Sequence, residues 1–179
     1  MFRKVLIAVQ DAVSDRAVFE EGLAIAKTNQ ASLLLLHIVP LEAQTTLFPP
    51  TLLGYGTPVL VETTIERFRS DWQALENQGL SLLQALGQEA HVAGVACDFI
   101  QLVGNPATTI CDISRDWGID LIVMGRRGYS GLSEWISGSV SNYTLHHAPC
   151  SVLVVQNLHK TEEAASSAAK PATLPSPHP

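Results

Sequence analysis

The chain has 179 residues, 46% of them apolar, a length that fits one domain and is short for two full ones. Charged residues make up only 16%, below the roughly 25% of an average soluble domain. With 11 Lys plus Arg against 17 Asp plus Glu, the net charge of −6 offers no general field for nucleic acid or an anionic membrane, so any anionic ligand must be held by local groups. The longest apolar run, Leu33 to Val39, is interrupted by His37 and falls far short of the roughly 18 residues that span a bilayer. At the N-terminus, Met1-Phe2-Arg3-Lys4 precedes only Val5 to Val9, too short an apolar stretch for a signal sequence; it reads as a first strand of a cytoplasmic protein. Cys97, Cys111 and Cys150 are widely spaced with no C-x-x-C, which supports neither a disulfide framework nor a zinc site.

In chain order, the runs Val5 to Val9, Leu33 to Val39, Val95 to Val103, Leu121 to Met124 and Val152 to Val155 are short, continuous and rich in Val, Ile and Leu, the pattern of buried parallel strands. Helical spacing lies between them. Ser14 is an expected N-cap for a helix carrying Phe19, Leu23 and Ala26 on its inner face. Leu41 to Val61, with Pro49, Pro50, Gly54, Gly56 and Pro58, is too long for an ordinary link and reads as a lid or partner-binding loop, or as a tolerated insertion. Thr63 with Glu66 forms a capping box ahead of the stripe Ile65, Phe68, Trp72, Leu75 and Leu82. Asn105-Pro106 starts a third helix with an inner face of Ile110, Ile113 and Trp117 and a stop at Gly118. A fourth runs from about Ser139 to His147 and is closed by Pro149. The strict alternation predicts an α/β fold with an open, doubly wound, five-stranded parallel sheet. From Asn157 to Pro179, four prolines and five alanines fall in 23 residues with few large apolar side chains, so the folded domain is expected over residues 1–156 and a disordered Pro/Ala-rich tail over 157–179.

Open parallel sheets bind ligands beyond the carboxyl ends of their strands, which directs attention to the segments after Val9, Val39 and Met124. Directly after Met124 comes Gly125-Arg126-Arg127-Gly128-Tyr129-Ser130-Gly131, and Gly138-Ser139-Val140-Ser141 opens the next helix. Glycines admit close backbone approach, and a helix N-terminus adds free N–H donors and partial positive charge, so the two together make a phosphate cradle. Ser139 and Ser141 can add hydroxyls, and Arg126 or Arg127 the charge that the acidic bulk lacks.

The spacing Gly125-x2-Gly128-x9-Gly138-Ser139 resembles the nucleotide-binding signature of the universal stress protein family, ATP-binding subgroup. Lys4 to Val9 is similar to that family's first strand, Leu34 to Pro40 to its second, Gly104-Asn105-Pro106 to the start of its third helix, and Asp120 to Gly125 and Ala148 to Val155 to its fourth and fifth strands. The resemblance implies a Rossmann-like, adenine nucleotide alpha hydrolase-like sandwich that binds ATP, AMP or ADP, with Mg accompanying the nucleotide, and dimerises through Ser151 to Val155. On the family's pattern, Met124, Gly125, Arg127, Gly128, Gly138, Ser139, Val140 and Ser141 would surround ribose and phosphates, Ile38 would meet the adenine edge through its backbone, and Val9 and Gln10 would border the pocket. The chain departs from the pattern after its first strand: the family usually has Asp, a small residue and Ser, where this chain reads Gln10-Asp11-Ala12. Gln10 can hydrogen-bond a base or ribose but carries no charge; Asp11 substitutes for the missing acid only if the loop, about one residue short, shifts the chain.

Other chemistry is sparse. His146-His147 suits the last carbonyls of a helix, not a metal; His37 reads as a hydrogen-bonded core histidine, and Cys111 and Cys150 as small buried apolar residues. No P-loop and no nucleophile, base and orienting trio is present. The expected function is nucleotide-dependent regulation of a stress response through conformation, dimerisation or partner choice, with at most slow ATP hydrolysis. The rival is a nucleotide-independent dimeric interaction module working through the 41–61 loop.

Overall fold

A computed structural model describes residues 1–41, 58–126 and 138–156. Along the chain it has β1 (Lys4–Val9), α1 (Arg16–Asn29), β2 (Ser32–Pro40), α2 (Pro58–Val92), β3 (Cys97–Gly104), α3 (Pro106–Asp116), β4 (Leu121–Gly125), α4 (Ser139–His147) and β5 (Ser151–Val155). The five strands form one sheet in the order β3-β2-β1-β4-β5, every neighbouring pair parallel. This is the predicted doubly wound α/β sandwich. The expected tail and most of the 41–61 loop lie outside the described residues. No described helix is long and apolar enough to cross a membrane.

Alternation along the central strands splits the core into two layers. Val5, Ile7 and Val9 of β1 point with Leu33 and Leu35 toward α1 and α2, where Val18, Phe19, Ala26, Leu83 and Ala90 meet them. Leu6, Leu34, Leu36, Ile38, Ile122 and Met124 point the other way, against Ile110 of α3 and Val140 of α4. Burial on both faces is why these strands read as continuous apolar runs rather than alternating ones.

Four local expectations are corrected. Helix α1 is capped at Asp15, not Ser14, because Asp11 and Asp15 together organise the preceding turn. The Thr63/Glu66 box lies inside α2, which begins at Pro58, a residue whose fixed φ suits a first helical position; Pro58 to Val61 therefore belong to the helix and not to the loop. Val95 precedes β3: its amide closes the end of α2 on the Ala90 carbonyl at 3.0 Å, with Gly94 at φ +80° making the turn. Trp117 is the C-cap of α3 and is 41% exposed, not part of its inner face. Asn105, by contrast, caps α3 as expected, its side-chain oxygen accepting from the amides of Ala107 and Thr108 at 3.0 and 3.3 Å.

Gly22 on α1 is dictated by close approach. A Cβ there would stand 2.5 Å from Ile7 Cδ1, whose side chain is fully buried in β1. Alanine ordinarily favours a helix over glycine by about 1 kcal/mol, while overpacking a closed core costs about 1–3 kcal/mol. Gly22→Ala is therefore expected to lower the melting temperature, whereas Gly87→Ala on α2, where the nearest atom is Phe99 Cδ1 at 3.4 Å, is expected to raise it; thermal denaturation of the two variants checks the pair.

Candidate functional site

The sheet changes winding direction between β1 and β4, and there its ladder stops early. β1 pairs with β4 only as far as Ala8↔Met124 and with β2 as far as Val9↔His37. Ile38, Val39 and Pro40 continue paired to β3 alone, and Gly125 to Val155 of β5 alone. The carboxyl ends of β1, β2 and β4 thus surround a crevice at the topological switch point, the place where open sheets accept ligands. Val9, Gln10, Ile38, Met124 and Gly125 are brought to it; Arg127 and Gly128 lie outside the described residues.

The first turn of helix α4 carries Val140, which packs against the core layer that also holds Ile122 and Met124 of β4. The amides of Ser139, Val140 and Ser141 belong to its first turn and have no intrahelical acceptor, which makes them donors for an anion. Gly138 caps this helix at φ −50° and ψ 134°, angles open to any residue, so what matters there is the missing side chain and not a special backbone conformation. The two serines divide. Ser139 is exposed, while Ser141 is 3% exposed and donates its hydroxyl to the Gly138 carbonyl at 2.9 Å, holding the turn rather than offering that proton outward. Gly125 is closely surrounded: a Cβ on it would lie 3.2 Å from Val18 Cγ2 and 3.3 Å from Asp15 Oδ1, so these two side chains would have to give slightly to admit one.

That second neighbour is the residue that reading the sequence missed. Asp15 Oδ2 accepts from the amides of Gln10 at 2.6 Å and Asp11 at 3.0 Å. Asp11, the conditional alternative to an acidic residue at position 10, turns its Oδ1 onto the amides of Val13 and Ser14 at 3.0 and 2.8 Å. The carboxylate beside the end of β4 is thus Asp15, carried back from the start of α1 by a tight turn in which its own amide bonds the Asp11 carbonyl. The available signal was an acidic residue directly ahead of a helix and close behind a strand.

His37 lies next to the crevice on the α2 side of the sheet, in register with Val9 and Gln101 and 6% exposed. Gly79 of α2 lies over it, with a built Cβ only 2.5 Å from His37 Nδ1 and from Gln101 Oε1; neither atom has a hydrogen-bond partner among the described residues, so this core histidine is not hydrogen-bonded through Nδ1 as expected. Burial holds its pKa below the ordinary imidazole value, partly offset by the negative charge of Asp15. The unfolded chain therefore takes up this proton first, so His37 makes the fold less stable as pH falls below its unfolded value of 6.5, with no such loss above it. Urea titrations are expected to show a decline over that range that is absent in His37→Gln, and the His37 ring signal in NMR is expected to titrate below the ordinary histidine range.

Burial raises the Cys111 and Cys150 thiols above the usual cysteine range; Cys111 is buried as expected, but Cys150 is only half-buried. His147 sets Nδ1 2.9 Å from the Tyr143 carbonyl and stacks on the Tyr143 ring, the helix-end role expected of it. Among the described residues no group of three or more His, Cys, Asp or Glu is arranged to hold a metal ion.

The chain matches the model of the Universal stress protein family over residues 1–156. It is 32% identical to Universal stress protein Sll1388 of Synechocystis sp. over 156 residues, covering 87% of this chain and 99% of that one. It is 33% identical to Universal stress protein YxiE of Bacillus subtilis over 156 residues, covering 87% of this chain and 100% of the relative. Among solved structures, a universal stress protein family protein from Arabidopsis thaliana with AMP bound superimposes with a TM-score of 0.59 at 26% identity, covering 89% of this chain and 95% of that one.

Proposed function

Because the chain belongs to the universal stress protein family, we propose that it binds an adenine nucleotide in the crevice between β1 and β4 and acts as a stress-response regulator through the conformation or partner choice that the nucleotide imposes. The observation that carries this reading is the early end of the β1 pairing at the switch point, past which Ile38 and Gly125 no longer pair with β1, together with the first-turn amides of Ser139, Val140 and Ser141, which have no intrahelical acceptor. A relative of the same fold has been solved with AMP. Val9 and Gln10 border the base and ribose, Met124 and Gly125 the floor, and Gly138 with Ser139 to Ser141 the phosphates, where ATP would bring its γ-phosphate and a Mg ion. In this reading the bound nucleotide serves as a signal, with hydrolysis slow at most. Mass spectrometry of ligand released from protein purified without added nucleotide, followed by titration with ATP, ADP and AMP, tests the reading. Absence of any adenine nucleotide from the purified protein together with no binding at millimolar concentration overturns it.

The same proposal includes a homodimer. β5 lies at one end of the sheet, both its faces packed by Leu153 and Val155 on one side and Val152 and Val154 on the other, so only its hydrogen-bonding edge remains to pair with a second copy. Light scattering is expected to give the dimer mass for the full chain, and a monomer at micromolar concentration removes the idea.

A further inference from the structure

We infer that the free edge of β3 is a self-pairing surface, on which a second copy of this chain adds its own β3 antiparallel about a two-fold axis at Gln101; the inference is independent of the nucleotide reading. β3 lies at the end of the sheet opposite β5 and pairs with β2 on one side only. The Leu33 amide donates to the Ala96 carbonyl at 2.8 Å. In an alternating backbone the even-numbered residues of β3 therefore turn their N–H and C=O groups to β2, and Cys97, Phe99, Gln101 and Val103 turn theirs outward. Among the described residues those outward groups have no hydrogen-bond partner.

This edge lacks the usual protection. Free edges are ordinarily blunted by charge, Lys above all, or by Pro. β3 has a single charge, Asp98 near its start, and no proline. Helix α2 runs along it, with Gly79 over Gln101 and Gly87 over Phe99, and carries no charged residue from Asn77 to Gln88. Leu80, Phe99 and Val103 are exposed on these two elements.

The occupant follows from the register. About an axis at Gln101, Phe99 of each copy stands opposite Val103 of the other, an aromatic and a β-branched residue on one face, which is a favourable cross-strand pair. Phe99, Gln101 and Val103 are then the hydrogen-bonded positions of the antiparallel ladder, so their outward N–H and C=O groups all find partners. Asp98 falls opposite Gly104 and not opposite a second Asp98, so a chain of net charge −6 meets itself here without two carboxylates set against each other. The axis is normal to the sheet and brings the uncharged stretches of both α2 helices to the same side of the joined sheet. Glu76, at the border of that stretch, turns its carboxylate back onto Trp72 Nε1 at 2.9 Å. A foreign strand would have to match this pattern by chance; a second copy matches it by symmetry.

Hydrogen exchange followed residue by residue, with particle mass measured by sedimentation, tests the inference on the full chain. In the subunit alone the amides of Phe99, Gln101 and Val103 have no acceptor and exchange freely. From micromolar to millimolar concentration they are expected to slow about tenfold or more, while the mass rises about twofold. Val103→Lys changes an exposed position and sets a charge on the edge; it is expected to keep the circular dichroism of the wild type and to lose both the protection and the rise in mass. Unprotected β3 amides in the wild type at millimolar concentration overturn the inference without any variant, and so does protection that survives in a folded Val103→Lys chain. Protection that does not depend on concentration means that a segment of the same chain covers the edge, and this too overturns it. The opposite edge is read separately: the Val155 carbonyl accepts from Arg126 of the β4 end at 3.1 Å, so the amides that face outward on β5 are those of Val152 and Val154. Slowing there with none on β3 leaves the β5 dimer standing and overturns this second contact.

Discussion

If the proposed nucleotide site is correct, ATP is expected to raise the melting temperature of the wild type, and Gly138→Val is expected to abolish that rise. A ligand that binds only the folded state stabilises it by about 2.7 kcal/mol at a hundred times its dissociation constant, which for a domain of this size corresponds to roughly 5–10 °C. Position 138 lies at φ −50° and ψ 134°, extended backbone that a β-branched residue adopts readily, so the variant should fold. The Ser141 hydroxyl bond to the position-138 carbonyl involves no side chain at 138 and survives. What changes is the side chain at the N-cap directly ahead of the amides of Ser139, Val140 and Ser141, which the nucleotide proposal makes the phosphate donors and which an isopropyl group is expected to screen. Without nucleotide the two proteins should melt within a few degrees of one another; with saturating ATP only the wild type should shift. An unchanged ATP shift in folded Gly138→Val would remove the phosphates from the start of α4.

Phe19→Ala is expected to cost about 3–5 kcal/mol, the largest stability loss named here. Phe19 is fully buried in the layer between the sheet and the first two helices, so truncation leaves a cavity among Ile7, Val18 and their neighbours that the closed packing cannot refill. Trp117 is a larger aromatic residue and, on helical spacing alone, sits as deep as Phe19. It is instead 41% exposed at the end of α3, and its carbonyl, which accepts from Lys4 Nζ at 2.9 Å, belongs to the backbone, so that link to β1 survives substitution. Trp117→Ala is therefore expected to cost about 1 kcal/mol or less. Urea unfolding distinguishes the cases through a displaced midpoint at constant slope. Comparable losses in the two variants would mean that the two core layers are not as described.

Read by itself, the sequence determined the strand and helix order, the two-sided burial of β1, β2 and β4, the Asn105 cap, and the glycine and serine segment at the start of α4, because each depends on residues close together along the chain; it also predicted β3 as buried, but at the sheet's edge that strand leaves Phe99 and Val103 exposed. The apolar runs need no partner to be recognised, since burial on both faces removes polar residues from every position of a strand. Helix ends were less legible. Thr63 and Glu66 have capping-box spacing but occupy the interior of α2, and Ser14 yields the cap of α1 to Asp15, because a cap is decided by where the chain enters the helix and not by which residues are able to cap it. Only the tertiary structure decided the rest. Gly22 is fixed by Ile7 and Gly79 by His37 and Gln101, and Gly125 is crowded by Val18 and Asp15, partners that lie on other elements and become neighbours only when β1 stands at the centre of the sheet. The same holds for the crevice itself. Which carboxylate reaches the end of β4 depends on a turn that spends Asp11 on its own loop amides and brings Asp15 back across β1, and hydrogen bonds from backbone amides settle that choice in a way that no side-chain pattern records.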